Sequence, residues 1–189
     1  MRIISIVVFL LFLSGCAGTI PVNYQPQNFI RCTGAVGIGE FEYQPYKVGT
    51  VGKPNQIQNT ALGSIYIGSN VNDLVQRATA LELEKTGVMI NDQCTTYLEG
   101  NVLEFKAGDL GYSVQWYYSI KYKLKNIASG ETYLDKVYTP GMRKTGKFGS
   151  PSDLAPVINE MILDGYTLFI SDPEAKKILG KGDIKADLP

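Results

Sequence analysis

Residues Tyr112 to Lys125 alternate without a break, and that run constrains the fold more than any other stretch. Tyr112, Val114, Trp116, Tyr118, Ile120, Tyr122 and Leu124 fall on one side. Ser113, Gln115, Tyr117, Ser119, Lys121, Lys123 and Lys125 fall on the other. Successive side chains of a strand point to opposite faces, so an unbroken period of two specifies a long strand buried on one side only. Trp116, in the middle of the apolar register, belongs to the core. Asn126 to Gly130 (NIASG) reads as a turn and Glu131 to Thr139 as the returning strand, which makes an antiparallel hairpin.

Two segments carry helical spacing instead. Ser69 to Asp73 supplies N-cap chemistry, Val71, Leu74, Val75, Ala78 and Leu81 form an apolar stripe, and Gly87 stops the helix. Leu83 lies off that stripe and implies a second contact. Glu82 and Glu84 read as a solvated face. A later helix is capped by Ser152 or Asp153 and buries Leu154, Val157, Ile158, Met161, Ile162, Leu168 and Phe169. Its Pro156 is tolerable in the first turn, and Asp172-Pro173 breaks it before a short helical turn through Ile178 and Leu179. Shorter strands are predicted over Cys32–Phe41, Leu62–Ile67 and Tyr97–Phe105, the last with a bulge or bend around Gly100. Gln44 to Asn59, with two prolines and two glycines, reads as a loop. Adjacent strands with two amphipathic helices predict an α+β fold: an antiparallel-dominated sheet of about five strands with two amphipathic helices packed on one face.

The amino end carries a different signal. Met1-Arg2 is followed by the apolar run Ile3 to Leu13, the length of a signal-peptide core and shorter than the roughly 20 residues a membrane span needs. Leu13-Ser14-Gly15-Cys16 then resembles a bacterial lipobox: an aliphatic residue, two small residues and a cysteine whose thiol takes a diacylglyceryl group. The resemblance implies export, cleavage before Cys16 and lipid anchoring at Cys16. Ala17 in place of an aspartate matches the outer-membrane default. The predicted organisation is a cleaved signal over 1–15, a lipidated cysteine and tether over 16–31, one periplasmic domain over 32–180 and a loose tail over 181–189.

Composition removes several chemistries. The 189 residues include 18 basic and 18 acidic side chains and no histidine. A neutral chain lacks the basic excess of nucleic-acid binders. Without histidine, the commonest general base and metal ligand is missing, and His-dependent hydrolysis is excluded. No cofactor or metal site is predicted. Of three cysteines, Cys16 is assigned to lipid, leaving Cys32 and Cys94. In an oxidising compartment an even remainder predicts a disulfide between them. Gly34, Gly37 and Gly39 lack the following Lys-Ser/Thr and the helix of a phosphate loop, so a closely approached strand is the better reading.

The lipobox, the stretch Val71 to Gly87, the strand Tyr97 to Val102 and the turn Lys125 to Glu131 together resemble small outer-membrane lipoproteins of the YajG and LptE-like kind. The resemblance spans most of residues 32–170. It implies a non-enzymatic accessory component of the envelope, anchored in the outer membrane, facing the periplasm and holding an envelope protein or glycoconjugate. A carboxylate-dependent, peptidoglycan-acting enzyme and a self-assembling structural surface lipoprotein are the alternatives. Two surfaces are candidates for the contact. One is the row Lys121, Lys123 and Lys125. The other is the loop 139–149, where Arg143, Lys144 and Lys147 interleave with Met142 and Phe148. Basic residues beside exposed apolar ones suit an anionic membrane surface or a protein partner.

Overall fold

A computed structural model describes residues 19–60, 64–109, 112–146 and 151–181. The signal segment, Cys16, Lys147, Phe148 and most of the predicted tail lie outside the described residues. In chain order the elements are β1 (Thr19–Ile20), β2 (Gly34–Tyr43), α1 (Gln44–Lys47), β3 (Gln56–Asn59), β4 (Ile65–Ile67), α2 (Val71–Thr86), β5 (Val88–Ile90), β6 (Thr96–Asp109), β7 (Ser113–Asn126), β8 (Thr132–Tyr138), β9 (Arg143–Gly146), α3 (Pro151–Ser171) and α4 (Pro173–Leu179).

The α+β class is as the sequence predicts, and the sheet is larger and mixed. Nine strands join in one sheet among the described residues. β6 and β7 form a long antiparallel hairpin, and β7 also pairs antiparallel with β8 and with β9. The first half of the chain contributes parallel pairs: β2 with β5, β2 and β3 with β6, and β1 with β4. A hairpin can only return a strand antiparallel, whereas a helical crossover returns the chain to the end where it started. α2 makes that return, which is why β5 lies parallel to β2.

The period-two run lands as read. Val114, Trp116, Tyr118, Ile120, Tyr122 and Leu124 are buried, and Trp116 Nε1 donates to Thr145 Oγ1 at 2.9 Å. Tyr112 itself precedes β7 and is 92% exposed. The irregularity expected around Gly100 is there as two shifts of register: β2 gains a residue between Ile38 and Phe41 against Leu98–Gly100, and β6 gains one between Val102 and Glu104 against β7. Gly100 is needed for a close approach: a Cβ there would lie 2.4 Å from the Phe41 ring. Gly37 likewise lies beneath the Tyr97 ring, in keeping with a closely approached strand.

α2 ends at Gly87, whose left-handed φ of 99° closes the last turn. Its buried stripe is Val71, Leu74, Val75, Ala78, Thr79, Glu82, Leu83 and Thr86. Leu81, expected in the stripe, is half-exposed, and Leu168 of α3 is also on the solvent side. Glu82, expected on a solvated face, is fully buried. The reason is the segment 19–31, predicted as a tether. It opens with β1 in the sheet and then runs as a strap over the helical layer. Tyr24 Oη donates to Glu82 Oε1 at 2.7 Å, and the Gln27 and Asn28 amides donate to the same carboxylate at 2.9 and 3.0 Å. Burial, reinforced by that bond, holds the Tyr24 hydroxyl far above the ordinary tyrosine pKa. Asn159 of α3 donates to the Asn23 carbonyl, Asn28 donates to Thr167 Oγ1, and the Cys32 amide donates to the Thr86 carbonyl. The strap is therefore tied along its whole length.

Candidate functional site: the charged face of the sheet

The face of the sheet turned away from the core is built by the polar parity of three neighbouring strands. β2 contributes Glu40 and Glu42, β6 contributes Glu99 and Asn101, and β7 contributes Lys121, Lys123 and Lys125. Together with Gly100 they line a shallow groove of about 320 Å³. In register, Lys123 stands opposite Glu99 on one side and Asp135 of β8 on the other. Both acids pair diagonally instead. Glu99 binds Lys125, and Asp135 binds Lys121 at 3.5 Å. Among the described residues Lys123 makes no ion pair, so it is the cation of this row left to meet something else.

Asn101 adds a second unmet group. Its amide nitrogen donates to Gln44 Oε1 at 3.2 Å and reaches Glu42 Oε2 at 3.5 Å. Those donations fix the amide with its carbonyl oxygen turned the other way. That oxygen is buried and has no hydrogen-bond partner among the described residues. A buried acceptor without a donor costs about 1–3 kcal/mol. The groove itself offers the ammonium of Lys123 as a donor, framed by the carboxylates of Glu40, Glu42 and Glu99 as acceptors. Groups that both donate and accept, such as hydroxyls and amides, match that pattern.

The lysine row was legible from the alternation of β7. Its acidic and amide neighbours were not, because only the register between strands places Glu40, Glu42, Glu99 and Asn101 beside it. The second candidate surface is reorganised. The described part of the loop 139–149 includes the edge strand β9. Arg143 is committed inward: its Nε and Nη2 both donate to Asp164 Oδ2, at 2.9 and 2.6 Å, and its Nη1 pairs with Glu160. Both acids belong to α3, so this arginine clamps a helix to the edge of the sheet. Met142 and Lys144 are exposed.

The predicted disulfide is absent. Cys32 and Cys94 are separate buried thiols. Cys32 sits where the strap meets the last turn of α2, near Lys176 of α4, while Cys94 sits in the turn after β5, beside Asp92. Burial pushes both thiols above their usual pKa.

No protein-family model matches the sequence, and no curated protein matches it. Solved structures do resemble the fold. Protein XCC0632 from Xanthomonas campestris, of family DUF330, superposes with a TM-score of 0.61 at 10% identity, covering 85% of this chain and 96% of that one. The hypothetical protein CT253 from Chlamydia trachomatis gives 0.48 at 8% identity, with 76% and 97% covered. Lipoprotein GNA1162 from Neisseria meningitidis gives 0.40 at 10% identity, with 71% and 99% covered. At 10% identity the likeness to the Xanthomonas protein is one of fold.

Proposed function

We propose that the chain is a lipid-anchored accessory lipoprotein of the bacterial cell envelope, held at Cys16 in the outer membrane, facing the periplasm and acting by binding rather than by catalysis. The amino-terminal lipobox supports the anchor, Ala17 supports the outer membrane, and the resemblance to YajG- and LptE-like lipoproteins supports an accessory role. Among the described residues no helix is long and apolar enough to cross a membrane. The observation that carries the binding role is Lys123, a cation without an ion pair among the described residues, set among carboxylates in the groove of the sheet face. A donor beside acceptors on a rigid sheet suits a polar envelope glycoconjugate, whose hydroxyls both donate and accept.

A carboxylate-dependent enzyme would place two acids across a bound bond. Here the acids stand on β2 and β6 as neighbours of a lysine row, and Glu42 and Glu99 are held in ion pairs with Lys47 and Lys125. That arrangement favours binding. The test is photocrosslinking in intact cells with a photoreactive residue at Lys123, and at exposed Lys177 of α4 as the reference site. An adduct from position 123 that is absent from 177 is the expected result. Losing one charge-assisted hydrogen bond costs about 1.5–3 kcal/mol, so Lys123→Glu in the intact protein should weaken capture of envelope glycoconjugate about tenfold or more. Adducts from 177 alone, or unchanged capture by Lys123→Glu, would contradict the site.

A further inference from the structure

The strap changes what the anchor can do. Only Ala17 and Gly18 separate Cys16 from Thr19, the first residue of β1. Three peptide steps reach at most about 11 Å. A flexible tether of twenty residues would let a domain tumble above the bilayer, but here the chain is already hydrogen-bonded into the sheet almost at its lipid. Beyond β1 it cannot peel away freely, because Glu82, Asn159, Thr167 and Thr86 hold the strap down.

The registers say which end of the domain the chain enters from. β1 is parallel to β4, β4 antiparallel to β3, and β3 parallel to β6. β1 therefore runs antiparallel to β6, and its amino end points towards the end of the sheet where β6 stops and β7 begins. Thr19 pairs with Tyr66, Tyr66 with Gln56, and two residues on Gln58 pairs with Lys106. Thr19 thus stands level with about residue 104 of β6, five residues from its end at Asp109 and eight from its start at Thr96, so it is nearer that end. The carboxyl end of β9 lies there too, since Gly146 pairs with Ser113. At about 3.3 Å per residue, the eight residues back to Thr96, beside the β7–β8 turn, span about 26 Å, and the amino end of β1 points away from that turn.

The anchored end has the surface chemistry of a membrane contact. Tyr112, at its tip, is 92% exposed, and Lys144 of β9, in register with Gln115, is exposed on the same half of the sheet. Lys106 lies over the Tyr117 ring at 5.7 Å. Tyrosine and lysine are favoured at the headgroup level, where a ring can rest on the acyl boundary while a polar tip stays wet. We infer that the end of the sheet carrying Tyr112 and Lys144 docks on the headgroups of the bilayer that holds the Cys16 lipid, and that the short connection fixes this orientation. The inference rests on lipid anchoring at Cys16. It directs the β7–β8 turn away from the membrane and stands the charged groove upright, open to the periplasm.

The experiment uses the full acylated chain, extracted from cells and reconstituted in phosphatidylethanolamine/phosphatidylglycerol vesicles that contain lipids with a spin label at the headgroup. Environment-sensitive probes are placed at Tyr112→Cys and, in a second variant, at Ser129→Cys in the β7–β8 turn. Both positions are exposed, whereas Cys32 and Cys94 are buried. Mass analysis of each sample establishes the acyl groups first. The expected result is several-fold stronger quenching at 112 than at 129. Inserting a twelve-residue Gly/Ser linker after Gly18 should keep the protein on the vesicles and remove most of that difference. Equal quenching at both sites in acylated protein would overturn the orientation while leaving the anchor standing. A preference for 112 that survives the linker unchanged would overturn the role of the short connection. Protein that carries no acyl groups would overturn the anchor and the inference together.

Discussion

Tyr118 and Tyr122 stand four residues apart on the buried side of β7, yet their hydroxyls meet different surroundings. Tyr122 Oη shares a hydrogen bond with Thr79 Oγ1 of α2 at 2.9 Å. The Tyr118 hydroxyl, fully buried close to Gly165 of α3, has no partner among the described residues. Burial pushes both far above the ordinary tyrosine pKa, so both stay neutral. Removing one partner of a buried bond costs about 1–3 kcal/mol, because the other is left unmet. Tyr122→Phe should therefore lower the melting temperature by several degrees, at about 2–4 °C per kcal/mol for a domain of this size. Tyr118→Phe removes only an unmet group and should leave the melting temperature unchanged or raise it. Thermal melts followed by circular dichroism decide it, and the opposite order would contradict the contacts described. Glu82 shows where residue-level reading fails. Continuing the spacing from Val71, Leu74, Val75 and Ala78 puts position 82 inside and 81 outside, but the carboxylate at 82 suggested solvent. Position prevailed because the strap brings three donors from more than fifty residues earlier in the chain, which no local pattern contains.

At the scale of elements, what was legible was local. β7 was readable because its alternation is unbroken, and the end of α2 because Gly87 follows the last helical turn. The parallel pairs and the strap depend on which strands become neighbours, and adjacency between distant segments leaves no periodic trace. Asp172 combines both cases. The Asp-Pro pair was readable as the end of α3, and the same aspartate caps α4 by accepting from the Glu174 amide at 2.9 Å. Lys136 and Tyr138 of β8 donate to its other oxygen at 3.1 and 3.0 Å, which ties the helix to the edge of the sheet. Burial alone would raise the Asp172 pKa; the Glu174, Lys136 and Tyr138 donors outweigh it and hold the group below its usual value. A carboxyl depressed in the folded state contributes stability that is fully present above its unfolded pKa, about 3.9, and is lost as pH falls through the folded value. Asp172→Asn keeps a capping oxygen but no titration. Denaturant unfolding measured from pH 6 down to pH 2 should show a shallower acid-side loss of stability in the variant than in the wild type. Parallel profiles would mean that the aspartate has no favoured charged state in the fold.

For the whole molecule, the lipobox and the strap belong to one arrangement. The sequence carries a signal-like amino end, a cysteine in a lipobox-like setting and the long strand, each through a local pattern. Only the fold shows that the chain enters the sheet three residues after that cysteine, and that the lysine row shares its groove with acids and an amide. The proposed envelope role and the proposed orientation both require a lipid at Cys16. The most direct measurement is metabolic labelling with a palmitate analogue, combined with intact mass of the membrane-extracted chain, for wild type and Cys16→Ala. The expected result is a wild-type chain that starts at Cys16 and carries acyl groups, beside an unlabelled, uncleaved or mislocalised Cys16→Ala. Equal label in both proteins, or a mature wild-type chain without lipid, would contradict the account.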